Sequence, residues 1–269
     1  MNKKLLIAIC AVIACSLIAI PILLTLSNST SELDNAIQKA INYFEDFHEP
    51  YGLLMLNVMY RRFGIQEFAD SLQRYDQAAL DLPQKTSILR LFRRIADHNN
   101  QIEPGDLENI AYEADRLTMA ALYCDRHELP ANYTDMFETA VSKGEYFLTH
   151  ALLASIWIQE NGCTPPFSQS YIDEMYKANA ALINDDPVVD DLELEAASFL
   201  YLAGQGSLVD ENFVDCVLAV QNEDGGWFES SSDPEFVSYG HTTVFALMFL
   251  LHVRYPAESY PPMLAPAWR

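Results

Sequence analysis

The chain is poor in glycine, poor in basic residues and nearly free of strand-like alternation. Ten glycines in 269 residues, with few β-branched runs, argue against a sheet protein. Sixteen Lys and Arg face 38 Asp and Glu, for a net charge of −22. So negative a surface repels phosphate backbones and excludes nucleic acid as a partner. Five cysteines are present. Cys10 and Cys15 lie in an apolar run, and Cys124, Cys163 and Cys216 are too far apart for a C-x-x-C metal site. One disulfide or three buried thiols would both fit.

What is there is apolar and helical. Half the residues are hydrophobic and 12% are aromatic, enough to bury a large core. Leu5 to Leu26, LLIAICAVIACSLIAIPILLTL, carries no charge over 22 residues. At 1.5 Å per residue it can cross a ~30 Å hydrocarbon core. Lys3 and Lys4 precede it and no basic residue follows before Lys39, which places the N-terminus in the cytoplasm and the remainder outside. A cleaved signal would have a shorter apolar core, and a lipidated Cys15, suggested by Val12-Ile13-Ala14-Cys15, would leave an apolar run behind it. An uncleaved anchor is expected. The exported part then carries 14 basic against 38 acidic residues, about −24. That charge suits salty surroundings and keeps it off anionic lipid. Asn28-Ser29-Thr30 and Asn132-Tyr133-Thr134 are N-glycosylation sequons.

The expected organisation is a cytoplasmic 1–4, a transmembrane 5–26, a stalk 27–31, a helical domain 32–255 and an extended proline-rich tail 256–269. Ala36, Ile37, Ala40, Ile41 and Phe44 begin a 3.6-residue stripe. Pro50 then breaks the chain, and Tyr51 to Phe63 is a second, more apolar helix that Gly64 closes. Further helices are predicted over 65–80, 84–97, 105–127, 132–142, 144–160, 168–184, 191–204, 209–222 and 240–254, divided by proline and glycine. Strongly apolar helices begin near 146, 193 and 240, 47 residues apart each time. Such a period points to stacked helix pairs, apolar members inside and amphipathic members outside.

The most specific stretch runs from Phe213 to Val253. A helix ends in Gln221, a tight Asp224-Gly225-Gly226-Trp227 turn follows, and a loop leads through His241-Thr242-Thr243 into an apolar helix. It resembles the QW-type repeat of the prenyltransferase and squalene-cyclase superfamily, over about 40 residues. The resemblance implies an all-α fold, an α/α toroid, and at ~45 residues per pair the exported part holds about five helix pairs. Gly144 to Gly162, with His150 near its start, looks like another inner helix of this kind. A similar turn occurs in (α/α)-barrel glycoside hydrolases and polysaccharide lyases, so it argues for the ring more than for a substrate.

The family's catalytic signatures are absent. No Asp-x-Asp-Asp acid exists; Asp185-Asp186 and Asp190-Asp191 have the wrong spacing. No Asp-x-Cys zinc pair exists, since Asp215 and Cys216 are adjacent. Only His241 stands where that family places its zinc histidine, and no metal set is expected. The better candidate is one edge of the ring. It would collect Asp185, Asp186, Asp190, Asp191, Glu193 and Glu195, then Glu223, Asp224, Trp227, Glu229, Tyr239 and His241. Asp190, Asp191, Glu195, Asp224 and His241 are candidate catalytic residues, because paired carboxylates can cleave glycosides. Trp227, Tyr239 and His150 are candidate binding residues for a lipid or glycan. The carboxylates would equally suit Ca²⁺, or serve only as helix caps. The functional expectation is a membrane-anchored, extracytoplasmic binding or scaffold domain. A carbohydrate-active enzyme, or a divergent cyclase or prenyltransferase, is the alternative.

Overall fold

The computed structural model describes residues 30–80, 88–184, 188–230 and 238–267. The predicted membrane segment, the stalk up to Ser29 and the Asp185-Asp186 pair lie outside them. Among the described residues there are twelve α-helices and no strand, and no helix is long and apolar enough to cross a membrane. They are α1 (30–43), α2 (Pro50–Phe63), α3 (Ser71–Leu80), α4 (Ile88–Phe92), α5 (Pro104–Glu108), α6 (Glu113–Leu122), α7 (Tyr133–Lys143), α8 (Glu145–Glu160), α9 (Gln169–Ala180), α10 (Asp191–Leu202), α11 (Asn212–Ala219) and α12 (Gly240–Arg254).

Local chemistry explains most boundaries. Gly64 is left-handed, and its N–H caps α2 at the Tyr60 carbonyl. The single helix predicted over 105–127 is two. Glu103 and Asp106 form a capping box that starts α5. Asn109 then turns out of helical geometry, its side-chain amide bonding back to the Gly105 carbonyl. The apolar periodicity continues through this break and hides it.

Two classes of helix result. α2, α6, α8, α10 and α12 are buried along much of their length; α12 is covered from Thr242 to His252. α3, α7, α9 and α11 bury one stripe each. The buried helices touch in the order α2, α12, α10, α8, α6, and the short α4 joins α6 back to α2. α7 and α9 cover α8, α3 covers α2, and Phe213 of α11 packs on Phe249 of α12.

The five long buried helices run the same way. Tyr51, Asp115, Tyr146, Asp191 and His241, from their first turns, meet at one edge. The opposite edge carries Arg61 and Arg62 of α2, Glu160 of α8 and His252 of α12. There the proline-rich tail lies across them. Arg62 donates to the Pro261 carbonyl and Arg61 to that of Met263, while Glu160 accepts the Met263 and Leu264 N–H groups. Met263, Leu264 and Ala265 of the tail are buried. Cys124 and Cys163 form a disulfide joining the chain just beyond α6 to the chain just beyond α8, and Cys216 is free.

The DGGW turn fastens α1. Gly225 has φ +93°, and a Cβ there would collide with the Lys39 carbonyl oxygen. Gln221 donates to the carbonyls of Ala36 and Gly225. Trp227, fully buried, donates to the Val217 carbonyl of α11 at 2.8 Å. The turn is a clamp between α1, α11 and α12.

Candidate acid–histidine centre

The edge at which the buried helices begin carries the chemistry. Asp190 caps α10 in a reciprocal box with Glu193: the Glu193 N–H donates to Asp190 and the Asp190 N–H to Glu193. The other Glu193 oxygen accepts the Asn184 N–H. The Asp191 N–H donates to the Glu229 carbonyl, which ties the start of α10 to the loop before α12. With Asp190 and Glu193 so occupied, Asp191 and Glu195 turn inward one helical turn apart, on one face. Both are buried, at 4% and 1% exposure.

Each has partners from neighbouring helices. Asp191 accepts hydrogen bonds from the Tyr146 hydroxyl (2.9 Å) and the Thr242 hydroxyl (2.6 Å), and His241 Nδ1 lies 2.8 and 2.9 Å from its two oxygens. Glu195 accepts from the Thr149 hydroxyl. His241 Nε2 stands 3.6 Å from one Glu195 oxygen and His150 Nδ1 3.6 Å from the other. His150 Nδ1–H donates to the Tyr146 carbonyl at 2.7 Å. The donor atoms of Asp191, Glu195 and His241 all lie within 4.8 Å of one another.

Aromatic rings frame the group. Tyr51 is 5.5 Å from the His241 ring, Tyr239 6.2 Å and Phe245 4.7 Å, and Tyr112 is 6.3 Å from His150. Tyr112 and Tyr239 are exposed and form the outer lip.

The charges follow from this packing. Burial pushes the Asp191 carboxyl up, but the bond and charge of His241, with the Thr242 and Tyr146 hydroxyls, outweigh it and hold it below its ordinary value. Burial opposes the His241 imidazolium, and Asp191, with help from Glu195 and Glu229, overcomes that and raises it. Glu195 is raised because burial exceeds what His150, His241 and Thr149 return. Burial raises Asp115 as well, partly offset by His150. Asp191 and His241 each favour the charged form of the other, beside a second carboxyl whose ionisation burial opposes.

The structure distributes the sequence candidates among different tasks. Asp191, Glu195 and His241 come together, with His150 and Tyr239 at their margin. Asp190 caps α10. Asp224 accepts from the Gly226 N–H and the Ser238 hydroxyl within the DGGW turn, and Trp227 is buried in the clamp. Sequence reasoning missed Tyr51, Tyr146, Thr149 and Thr242; their only signal was position in the first two turns of an apolar helix. It expected no metal set because the Asp-x-Cys pair is missing. The three donors arise instead from an i, i+4 carboxylate pair and a histidine 50 residues on. No known protein family matches the chain, and no curated protein or solved structure matches it.

Proposed function

We propose that the chain is a membrane-anchored, extracytoplasmic α/α toroid of the prenyltransferase and squalene-cyclase kind. It acts as a binding domain whose centre takes a divalent d-block cation. The observation that carries this reading is the approach of the ligand atoms of Asp191, Glu195 and His241, two of them buried residues, to within 4.8 Å of one another. Two carboxylates balance a dication, and an imidazole among them favours zinc or manganese over calcium, which prefers oxygen ligands alone. A bound cation would supply charge that favours ionised Glu195 against its burial.

The ring is supported by the cyclic order of the buried helices and the meeting of their first turns. Export is supported by the uncharged segment after Lys3 and Lys4 and by the Cys124–Cys163 disulfide, which suits an oxidising compartment. A scaffold or binding role, rather than cyclisation or prenyl transfer, fits the absence of the Asp-x-Asp-Asp acid and the Asp-x-Cys pair.

The test is metal uptake by the full chain in detergent, stripped with a chelator and titrated with Co²⁺ and Zn²⁺. About one equivalent should bind per chain, with tetrahedral cobalt absorption, and His241→Ala and Glu195→Gln should each lose it. A wild-type protein that binds neither ion sinks the reading. A second reading, glycoside cleavage, draws on Asp191 and Glu195 sharing one face under the Tyr112 and Tyr239 lip. Release of sugar from oligosaccharides, lost in Glu195→Gln, would favour it.

A further inference from the structure

One motif singled out in the sequence has no part in the acid–histidine centre. Asn132-Tyr133-Thr134 lies where the chain enters α7. Asn132 occupies the N-cap position, at which asparagine normally bonds the exposed N–H groups of the first turn. Here it does not. Its backbone is at φ −97° and ψ 17° rather than extended, and its side chain caps nothing. The residue is exposed. Neither its amide nor the Thr134 hydroxyl makes a hydrogen bond within the described protein. A residue type favoured for capping is thus held at a cap with its amide free in solvent.

The neighbours separate the sequon's parts. Tyr133 is buried, its hydroxyl donating to the Leu117 carbonyl of α6, so modification would precede the packing of α7. Once α7 packs, the Asn132 side chain remains exposed, Thr134 partly so, and Tyr133 is enclosed. It lies at the lip of a groove of about 570 Å³ between α6 and α7, with Met136, Ala140 and Phe147 among its lining. A sugar there would cover apolar surface that is otherwise open to water.

We propose that Asn132 carries an N-linked glycan. The inference rests on the exported location proposed above, because the donor, a lipid-diphosphate-linked oligosaccharide, is used on the outer side. The Asn132 Nδ2 forms a bond to the anomeric carbon, and the bond from that carbon to the lipid diphosphate oxygen breaks. The amide proton passes to a base of the transferase, and the lipid diphosphate leaves. The Thr134 hydroxyl completes the acceptor.

The experiment takes the full chain from the membranes of its own cells and measures the tryptic peptide His127–Lys143 by mass spectrometry. The peptide should be heavier by whole sugar residues located on Asn132. Asn132→Gln and Thr134→Val should carry none, and Thr134→Ser should retain the sugar. Asn132→Gln should fold with the unfolding midpoint of the sugar-free wild type, since its side chain bonds nothing. A bare peptide from a chain whose Cys124–Cys163 bond is oxidised and whose domain is open to external protease overturns the inference and leaves the location standing. A domain closed to external protease overturns both.

Discussion

The two ends of α12 hold histidines of opposite character. His241 begins the helix and His252 lies in its last turn. Both are largely enclosed. His241 meets Asp191 and is raised. His252 donates from Nδ1 to the Met248 carbonyl and accepts at Nε2 from Arg62 at 3.0 Å. Burial first, and then the Arg62 charge, lower it to about 3. The helix dipole alone would favour the reverse, an uncharged first turn and a cationic last turn. Neighbours decide instead: an acidic edge favours the cationic form of one imidazole, and burial with a basic neighbour disfavours it in the other. Along one helix, chemistry is sorted to one end and structural closure to the other.

The largest effect should come from removing the acid of the first pair. Asp191→Ala leaves His241, Tyr146 and Thr242 without their shared acceptor, and metal-free protein should lose about 3 kcal/mol in urea unfolding. A loss under about 1 kcal/mol would show that the pair is not a fixed element of the fold.

The second effect belongs to the other end and has a definite sign. His252 in the folded state sits at about 3, below the unfolded value near 6.5. Below that unfolded value the unfolded chain takes up a proton that the folded chain refuses. This residue's contribution is therefore intact above about pH 6.5 and lost as pH falls toward 3. Between pH 7 and pH 5 it should amount to about 2 kcal/mol. Unfolding free energies at the two pH values, for wild type and His252→Gln, give the comparison. Equal slopes would mean that neither burial nor Arg62 holds the ring neutral.

The smallest effect returns to the acidic edge. Thr149→Val keeps the volume and deletes the hydroxyl that serves Glu195, and should cost about 1.5 kcal/mol. It should also raise Glu195 further, readable from its carboxyl resonance during titration. An unchanged titration would assign the holding of Glu195 to the histidines alone.

The contrast also marks where sequence reasoning works. The buried and amphipathic helices are legible because proline and glycine punctuate a 3.6-residue period. Asp191, Glu195 and His241 are legible as residues of one edge because each lies near the start of an apolar helix. Their separation from Asp190, Glu193 and Asp224 is not legible. Adjacent acids differ only in whether they point back to a cap or inward, and backbone geometry decides that. Tyr51 and Tyr146 are hidden because a tyrosine at the start of an apolar helix looks like core. The Cys124–Cys163 bond spans 39 residues, and its two positions share no local signal. The tail reads as extended from its prolines, but its destination depends on Arg61, Arg62 and Glu160, which look like ordinary surface charges.

That tail also governs the breadth of the helical assembly. Its backbone is gripped by α2 through Arg61 and Arg62, by α8 through Glu160, and by the segment after α4 through the Ile95 carbonyl, which receives the Ala265 N–H. These grips lie on different sides of the helical circuit, so a few residues of peptide act as a drawstring across it. Cutting the chain after Tyr255 would leave every helix formed while letting the far walls drift apart. The spacing of the acids and imidazoles at the opposite mouth would then loosen with them.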